Sequence, residues 1–204
     1  MALPGPLGTQ FSAESLGDKL AQYCSIVQYI RANQVLAADS IEIGTLFGGS
    51  CLAKLIAMRD LDVQGKIICI DPMTGYYNQQ VDPMTGLEVT PEVLYRNLEI
   101  FSFPRETVEL REVFSNSDQA YDGLDGHRFA TLMIDGDHSY DGVLHDWERY
   151  RMFVTIGGFV LFDDYADPSW PDVAAAVRRV LSSRPSQWKA CGQLGTTFIL
   201  QRIS

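Results

Sequence analysis

Two largely apolar stretches of this sequence each end in a group of polar side chains that could do chemistry. Residues 130–134 are followed by Asp135, Asp137 and His138. Residues 158–162 are followed by Asp163 and Asp164. In an open α/β sheet the carboxyl ends of the strands meet at one edge, where ligands bind. Carboxylate oxygens bind hard divalent cations, and a histidine can take up a proton near neutral pH. The pattern predicts a metal site with a proton acceptor beside it.

A glycine-rich turn, Gly44-x-x-x-Gly48-Gly49, follows an earlier apolar run. It matches neither the G-x-G-x-x-G of dinucleotide-binding proteins nor a P-loop. Glu42, just before the turn, would repel a pyrophosphate and suit a cationic ligand. Asp71 ends the next apolar run, where it could accept hydrogen bonds from ribose hydroxyls, with a role in the turn before Pro72 as the alternative. These features favour a positively charged nucleoside without phosphate, a description that S-adenosylmethionine fits.

The elements that position these residues follow from the hydrophobic pattern. Apolar residues recur every three or four positions from Ser12 to about Asn33, which predicts an amphipathic helix before the sheet. Strand-like runs then alternate with helical segments, and strands at residues 188–194 and 197–202 close the chain. This alternation indicates an α/β, doubly wound fold with an antiparallel pair at the sheet edge.

The length of 204 residues suits one domain. We expect residues 1–37 to form an arm and a helix that pack on the core, and residues 38–204 to form the main domain. Residues 72–90 carry little periodicity. Because structureless loops of this length are often functional, this segment is predicted to be a lid-like loop.

The net charge of −10 argues against a nucleic acid as partner, because such binding rests on basic patches. The first residues lack the basic and apolar regions of a signal peptide, and no apolar run approaches the ~20 residues of a membrane span. The four cysteines are scattered without a C-x-x-C pair, which is typical of a reduced compartment. A cytoplasmic protein that acts on a small molecule is expected.

Several stretches together resemble a known enzyme family. Residues 42–50 resemble the first motif of class I S-adenosylmethionine-dependent methyltransferases, and Ile70-Asp71 resembles their acidic second motif. Residues 134–143 and 157–165 are similar to the small bacterial metal-dependent O-methyltransferases that include the macrolide-sugar enzymes and the cephalosporin-hydroxylase-like proteins. The resemblance extends from about residue 38 to the closing hairpin. It implies a Rossmann-like, seven-stranded sheet with a reversed last strand, S-adenosylmethionine in the first half and Mg²⁺ or Mn²⁺ in the second.

The resemblance also implies roles for the acidic group. Asp135, Asp163 and Asp164 match the metal carboxylates of the family, and His138 matches the general base of the macrolide-sugar enzymes. Some relatives use an acid at the position of Asp137 instead, so the choice of base stays open between these two residues. The implied reaction is methyl transfer to a hydroxyl whose pKa the metal lowers and whose proton the base takes.

Further residues are assigned to the two substrates. The cofactor positions are Glu42, Gly44, Thr45, Gly48, Ser50, Asp71, Ser115 and Asp135. The acceptor, expected to be a sugar or a glycosylated metabolite, is assigned to Tyr76, Tyr77, Tyr95 and Tyr165, with simple packing as the alternative role of these tyrosines. The 72–90 loop would select the acceptor. A homodimer, in which a partner subunit helps in that selection, stays open.

Other classes of function remain to be separated. Asp135-Gly-Asp137 is formally a D-x-D motif, which a metal-dependent glycosyltransferase could use to hold a nucleotide sugar. Glu42 and the early glycine turn argue against it. A nicotinamide reductase and a catalytically silent methyltransferase-like scaffold are the further alternatives.

Overall fold

A computed structural model of the chain describes residues 13–35, 37–75, 79–83, 85–183 and 186–204, with only the backbone of residues 13–16. Seven strands form one sheet: β1 (Ser40–Ile43), β2 (Ile67–Ile70), β3 (Val108–Arg111), β4 (Phe129–Ile134), β5 (Val154–Phe162), β6 (Trp188–Leu194) and β7 (Thr197–Arg202). Their order is β3-β2-β1-β4-β5-β7-β6. Strands β1 to β5 are parallel to one another, and β7 is antiparallel to both β5 and β6. The predicted doubly wound, seven-stranded fold with a reversed last strand is confirmed.

Five α-helices cover the sheet: α1 (Ala13–Ala32), α2 (Gly49–Asp60), α3 (Pro91–Ile100), α4 (Tyr140–Tyr150) and α5 (Pro171–Ser183). Helices α1 and α2 pack on one face, where Tyr23 and Ala53 meet Met133 of β4. Helices α4 and α5 pack on the other face, where Trp147 and Val177 join the same cluster as β1 and β4. Every residue of β1 and β4 is buried, because both faces of these central strands are covered by helices.

The two faces of β1 differ in polarity, and this difference matters for the site. Ile41 and Ile43 belong to the apolar cluster on the α4–α5 side. Successive side chains of a strand point to opposite faces, so Glu42 must point to the α1–α2 side. The sequence alone placed this residue next to the glycine turn without deciding which face it occupies.

The predicted elements agree with the structure at most positions. The first helix and the closing hairpin match the predicted segments, whereas β5 begins earlier than the predicted strand and ends at Phe162. Asp163 and Asp164 therefore lie just beyond the strand rather than within it. Part of the 72–90 loop forms a small hairpin, in which Val81 bridges Glu88 and the Asp82 carboxylate accepts a hydrogen bond from the Thr85 backbone at 2.9 Å.

Among the helices of the described residues, none combines the length and the apolar character needed to cross a membrane.

Candidate active site

A cleft of about 690 Å³ opens at the carboxyl ends of the parallel strands. Its walls are the turns that follow β1 to β5 and the inner side of α4. Four of the predicted cofactor positions line it: Gly44, Asp71, Ser115 and Asp135. The cleft thus forms where the topology of an open α/β sheet places ligand sites.

Asp71 holds the glycine-rich turn in shape. One of its carboxylate oxygens accepts hydrogen bonds from the backbone N–H groups of Thr45 and Leu46, at 2.9 and 2.8 Å, and the other accepts from Met73 at 2.8 Å. A carboxylate has about four lone-pair positions, so acceptor capacity remains on the side that faces the cleft. Asp71 is therefore both a brace of the turn and part of the cleft wall.

Gly44 allows the ends of β1 and β4 to approach each other closely. Its φ is +80°, and a Cβ atom at this position would lie 2.0 Å from the carbonyl oxygen of Asp135. Only glycine fits here without moving the backbone, since it has no Cβ and adopts positive φ at low cost. The turn that resembles the cofactor motif is thus also the contact that positions Asp135.

Three potential metal ligands converge on the far side of the cleft: Asp135, His138 and Asp164, each with one ligand atom within 4.8 Å of the others. His138 Nε2 lies 3.0 Å from Asp164 Oδ2 and 3.5 Å from Asp135 Oδ1. The indole of Trp170 stacks on the imidazole at 4.6 Å between ring centroids. Asp164 adopts a left-handed backbone conformation, φ +55°, which is uncommon for a non-glycine residue and often marks a functional position.

The electrostatics of this cluster favour a positive charge between the carboxylates. Burial, together with the nearby charge of Asp163, raises the pKa of Asp135 to about 7. Burial alone would lower the pKa of His138, but its hydrogen bonds to Asp135 and Asp164 outweigh that effect and raise it to about 10. A charged imidazolium therefore sits between two acidic groups. A hard cation held by the two carboxylates would repel this charge and favour the neutral imidazole.

Asp163 faces away from this cluster. It forms an ion pair with Lys19 of α1 and accepts a hydrogen bond from the Thr197 hydroxyl at 2.7 Å. Although burial opposes ionisation, Lys19 lowers the pKa of Asp163 to about 2. The metal set expected from sequence included Asp163, whereas the structure brings His138 to Asp135 and Asp164 in its place.

The other predicted cofactor positions do not line the cleft formed by the described residues: Glu42, Thr45, Gly48 and Ser50. Glu42 is buried on the α1–α2 side, where its Oε1 has no hydrogen-bond partner. Burial and the charge of Asp135 raise the pKa of Glu42 to about 8, against the opposing effect of Lys19 and Lys54. The strand pleat thus places Glu42 on the α1–α2 side of the sheet, outside the described lining of the cleft.

Asp137, the alternative base, supports the first turn of α4. Its carboxylate accepts a hydrogen bond from the Ser139 backbone N–H at 2.9 Å, and the Ser139 hydroxyl accepts one from Gly142 at 3.1 Å. Asp137 is exposed and stands outside the Asp135–His138–Asp164 cluster. Asp137 lines the cleft and forms a turn just before Ser139, the N-cap residue of α4.

The structure places two of the predicted acceptor tyrosines, Tyr95 and Tyr165, away from the cleft. Tyr95 lies under the guanidinium of Arg105 at 4.9 Å, and Tyr165 packs on Phe198 at 4.7 Å. Neither residue lines the cleft formed by the described residues. Tyr76 and Tyr77 lie outside the described residues.

Sequence reasoning missed Lys19, Trp170 and Asp146. Asp146 lines the cleft and is only 1% exposed, and among the described residues neither of its carboxylate oxygens has a hydrogen-bond partner. A signal was present in the sequence, because Asp146 follows Val143 by three positions and so falls on the apolar face of α4. An acid in such a stripe must be explained by a partner or a ligand.

Comparisons with known proteins agree with this geometry. An uncharacterized protein of Acanthamoeba polyphaga mimivirus is 31% identical over 145 residues, which are 70% of this chain and 58% of that protein. The chain thus spans little more than half the length of this curated relative.

Two solved structures share the fold. The O-methyltransferase NovP has a TM-score of 0.73 at 21% identity, with 92% of this chain and 80% of that chain covered. The calicheamicin enzyme CalS11 has a TM-score of 0.65 at 19% identity, with 97% and 88% covered.

A family model described as "Methyltransferase domain" matches residues 41–165, which is more than half of the chain. The matched segment contains the glycine turn, Asp71 and the Asp135–His138–Asp164 cluster. The chain belongs to the methyltransferase domain family.

Proposed function

We propose that the protein is an S-adenosylmethionine-dependent O-methyltransferase that requires a divalent metal and acts on a hydroxyl of a sugar or glycosylated metabolite. The observation that carries this proposal is the cluster of Asp135, His138 and Asp164 at one side of a cleft whose other side is the Asp71-braced glycine turn. Methyl transfer needs such a pairing of sites, because donor and acceptor must be held in contact.

The cofactor part rests on the family and on the first half of the cleft. The SAH-bound methyltransferase PaMTH1 of Podospora anserina shares the fold, with a TM-score of 0.58 at 14% identity. The free acceptor capacity of Asp71 suits the ribose hydroxyls of the cofactor. Gly44 and Leu46 line the cleft next to it and leave room for the amino acid part.

The metal part rests on the donor set. Asp135 and Asp164 offer two carboxylates within 4.8 Å of each other, which fits Mg²⁺ or Mn²⁺ with water in the remaining positions, while the His138 imidazole beside them serves as the base. A divalent ion held there would lower the pKa of an acceptor hydroxyl. The two carboxylates make the acceptor side of the cleft negatively charged. They would therefore attract the divalent cation that is needed to stabilise an alkoxide.

His138 is the residue placed to take the proton of the acceptor. Its Nε2 lies 3.0 Å from Asp164, and both carboxylates of the cluster stabilise the imidazolium that forms when it accepts a proton. Trp170 holds the ring by stacking, so the nitrogen points into the cluster. These two contacts orient a base in the way that a triad carboxylate orients its histidine.

The sugar acceptor is proposed from the neighbours in fold. CalS11 is described as a TDP-rhamnose 3′-O-methyltransferase of calicheamicin biosynthesis. The cleft of about 690 Å³ has the size of a pocket for a small molecule. The glycosyltransferase alternative loses support, because Asp137 of the D-x-D motif is engaged with the backbone of α4.

Calorimetric titration with S-adenosylhomocysteine, Mn²⁺ and UDP tests this proposal. We expect binding of S-adenosylhomocysteine and Mn²⁺ and none of UDP. Asp164→Ala should weaken Mn²⁺ binding at least tenfold and leave S-adenosylhomocysteine affinity within about threefold, since it removes one of the few metal ligands. Asp125→Ala, which removes an exposed carboxylate outside the cleft, is the control. Binding of UDP without S-adenosylhomocysteine would refute the proposed function.

A further inference from the structure

Asp146 is a buried acid in the cleft wall whose hydrogen-bonding capacity is unused among the described residues. It is 1% exposed, and neither carboxylate oxygen has a partner there. The Ser115 hydroxyl is close enough to lower its pKa, against the larger raising effect of burial, but does not complete a hydrogen bond. Leaving a buried acceptor unpaired is unfavourable, and more so when it is charged. Such a group in a ligand cleft indicates a donor that arrives with the ligand.

The surroundings hold Asp146 in place. It lies on the buried face of α4, next to Trp147, which packs against Trp188 at 4.8 Å between ring centroids. The adjacent Ser115 carbonyl accepts hydrogen bonds from the hydroxyls of Tyr121 and of Tyr150, which is also on α4, at 2.9 and 2.8 Å. These bonds tie the turn after β3 to α4, so the surroundings of the carboxylate are preorganised.

The position of Asp146 within the cleft determines which part of a ligand it meets. In the proposed function the acceptor hydroxyl and the methyl group would lie at the Asp135–His138–Asp164 cluster, beyond β4 and β5. The ribose would lie at Asp71, beyond β2. The adenine base would then occupy the remaining end of the cleft, between the turn after β3 and α4. Phe114, Ser115 and Asp146 line this end.

We propose that Asp146 accepts a hydrogen bond from the exocyclic amine of the adenine of S-adenosylmethionine and so selects the base of the cofactor. This inference rests on the proposed function. Adenine carries one donor group, the exocyclic amine, and its ring nitrogens N1, N3 and N7 are acceptors. A carboxylate can therefore bind this base only through the amine. Phe114, 62% exposed and in the cleft wall, offers an aromatic ring on which the base can stack.

Two ligands that differ only at the amine test the inference. S-adenosylhomocysteine carries the amine, whereas its analogue with unsubstituted purine in place of adenine has a hydrogen atom there and the same acceptor nitrogens. A site built to pair with a polar group strongly rejects an analogue that lacks it. We expect the protein to bind S-adenosylhomocysteine at least about 30-fold more tightly than the purine analogue in calorimetric titrations.

Asp146→Asn should reduce this preference to less than about threefold, because an amide can rotate and donate to the ring nitrogen N1, which both ligands carry. Asp146→Ala should also reduce it, by removing the acceptor. The matched control is Asp122→Asn, which makes the same change at an exposed position outside the cleft and should keep the full preference. Asn is isosteric with Asp, so Asp146→Asn gives the answer even if the alanine variant is unstable.

The outcomes separate the two proposals. A wild-type protein that does not bind S-adenosylhomocysteine overturns the proposed function. A wild-type protein that binds both ligands equally, or an Asp146→Asn variant that keeps the full preference, overturns the role of Asp146 and leaves the proposed function standing.

Discussion

Lys19 of the first helix forms a buried ion pair with Asp163, the residue that follows β5. The side chains are 16% and 6% exposed, so both charges are largely removed from water. Burial alone would lower the pKa of Lys19, but Asp163 and Asp135 raise it well above its ordinary range. The pair ties α1 to the edge of the candidate active site, although the two residues are 144 positions apart.

Removing one partner of this pair should be costly. Lys19→Met or Asp163→Asn leaves the other charge buried and unpaired, so each should lower the free energy of unfolding by about 3 kcal/mol. The double variant should lose much less than the sum, with a coupling energy of at least about 1.5 kcal/mol in urea unfolding. The exposed pair Arg105–Glu99, 2.7 Å apart, is the control and should couple by less than about 1 kcal/mol. Additive effects at Lys19 and Asp163 would contradict this prediction.

Gly44→Ala should disrupt the site through the backbone. The added Cβ would lie 2.0 Å from the Asp135 carbonyl oxygen, so β1 and β4 must separate at their carboxyl ends. We expect a loss of at least about 3 kcal/mol of stability and at least tenfold in S-adenosylhomocysteine affinity.

Gly123→Ala is the matched control for Gly44→Ala. Gly123 has a similar φ of +73°, but nothing lies within 4 Å of its added Cβ. Gly123→Ala should lower the free energy of unfolding by only about 1–2 kcal/mol, which is the cost of a left-handed conformation for alanine. It should leave S-adenosylhomocysteine affinity unchanged. Equal effects of the two substitutions would show that φ alone, and not the close approach, explains Gly44.

His138 and Asp137 are expected to differ sharply as candidates for the base. His138→Ala should lower kcat by about 10²–10⁴, the range of a general base. Asp137→Asn should change kcat by less than about threefold, since asparagine can still accept the hydrogen bond from Ser139 at the start of α4. Both variants are measured by methyl transfer from S-adenosylmethionine at saturating metal. A larger loss at Asp137 would reassign the base.

Asp146 should make stability depend on pH. Burial raises its pKa from about 3.8 to about 7, so folding favours the protonated acid. The stability that Asp146 contributes is complete below pH 3.8 and is lost as the pH rises through 7, by at most about 4 kcal/mol. Asp146→Asn lacks this loss, so the variant should gain stability relative to the wild type between pH 4 and pH 8 in urea unfolding. A constant difference between the two proteins would contradict the prediction.

The amino-acid sequence determined the architecture and the location of the site. Apolar periodicity is a local property, so alternating strands and helices could be predicted, including the hairpin at 188–194 and 197–202. The acids follow β4 and β5 directly, and the ends of parallel strands share one edge, so the cluster around Asp135 and His138 could also be predicted.

The tertiary structure decided which way each side chain points. The strand pleat directs the Glu42 side chain to the face opposite to that of Ile41 and Ile43. The side chains of Asp163 and Asp164 point to different partners, and Asp164 adopts a left-handed backbone conformation. No local pattern reveals that Lys19 reaches Asp163, or that Asp146 lies in the cleft without a partner. These facts depend on contacts between elements far apart in the chain, and such contacts form only when the sheet and its helices are assembled.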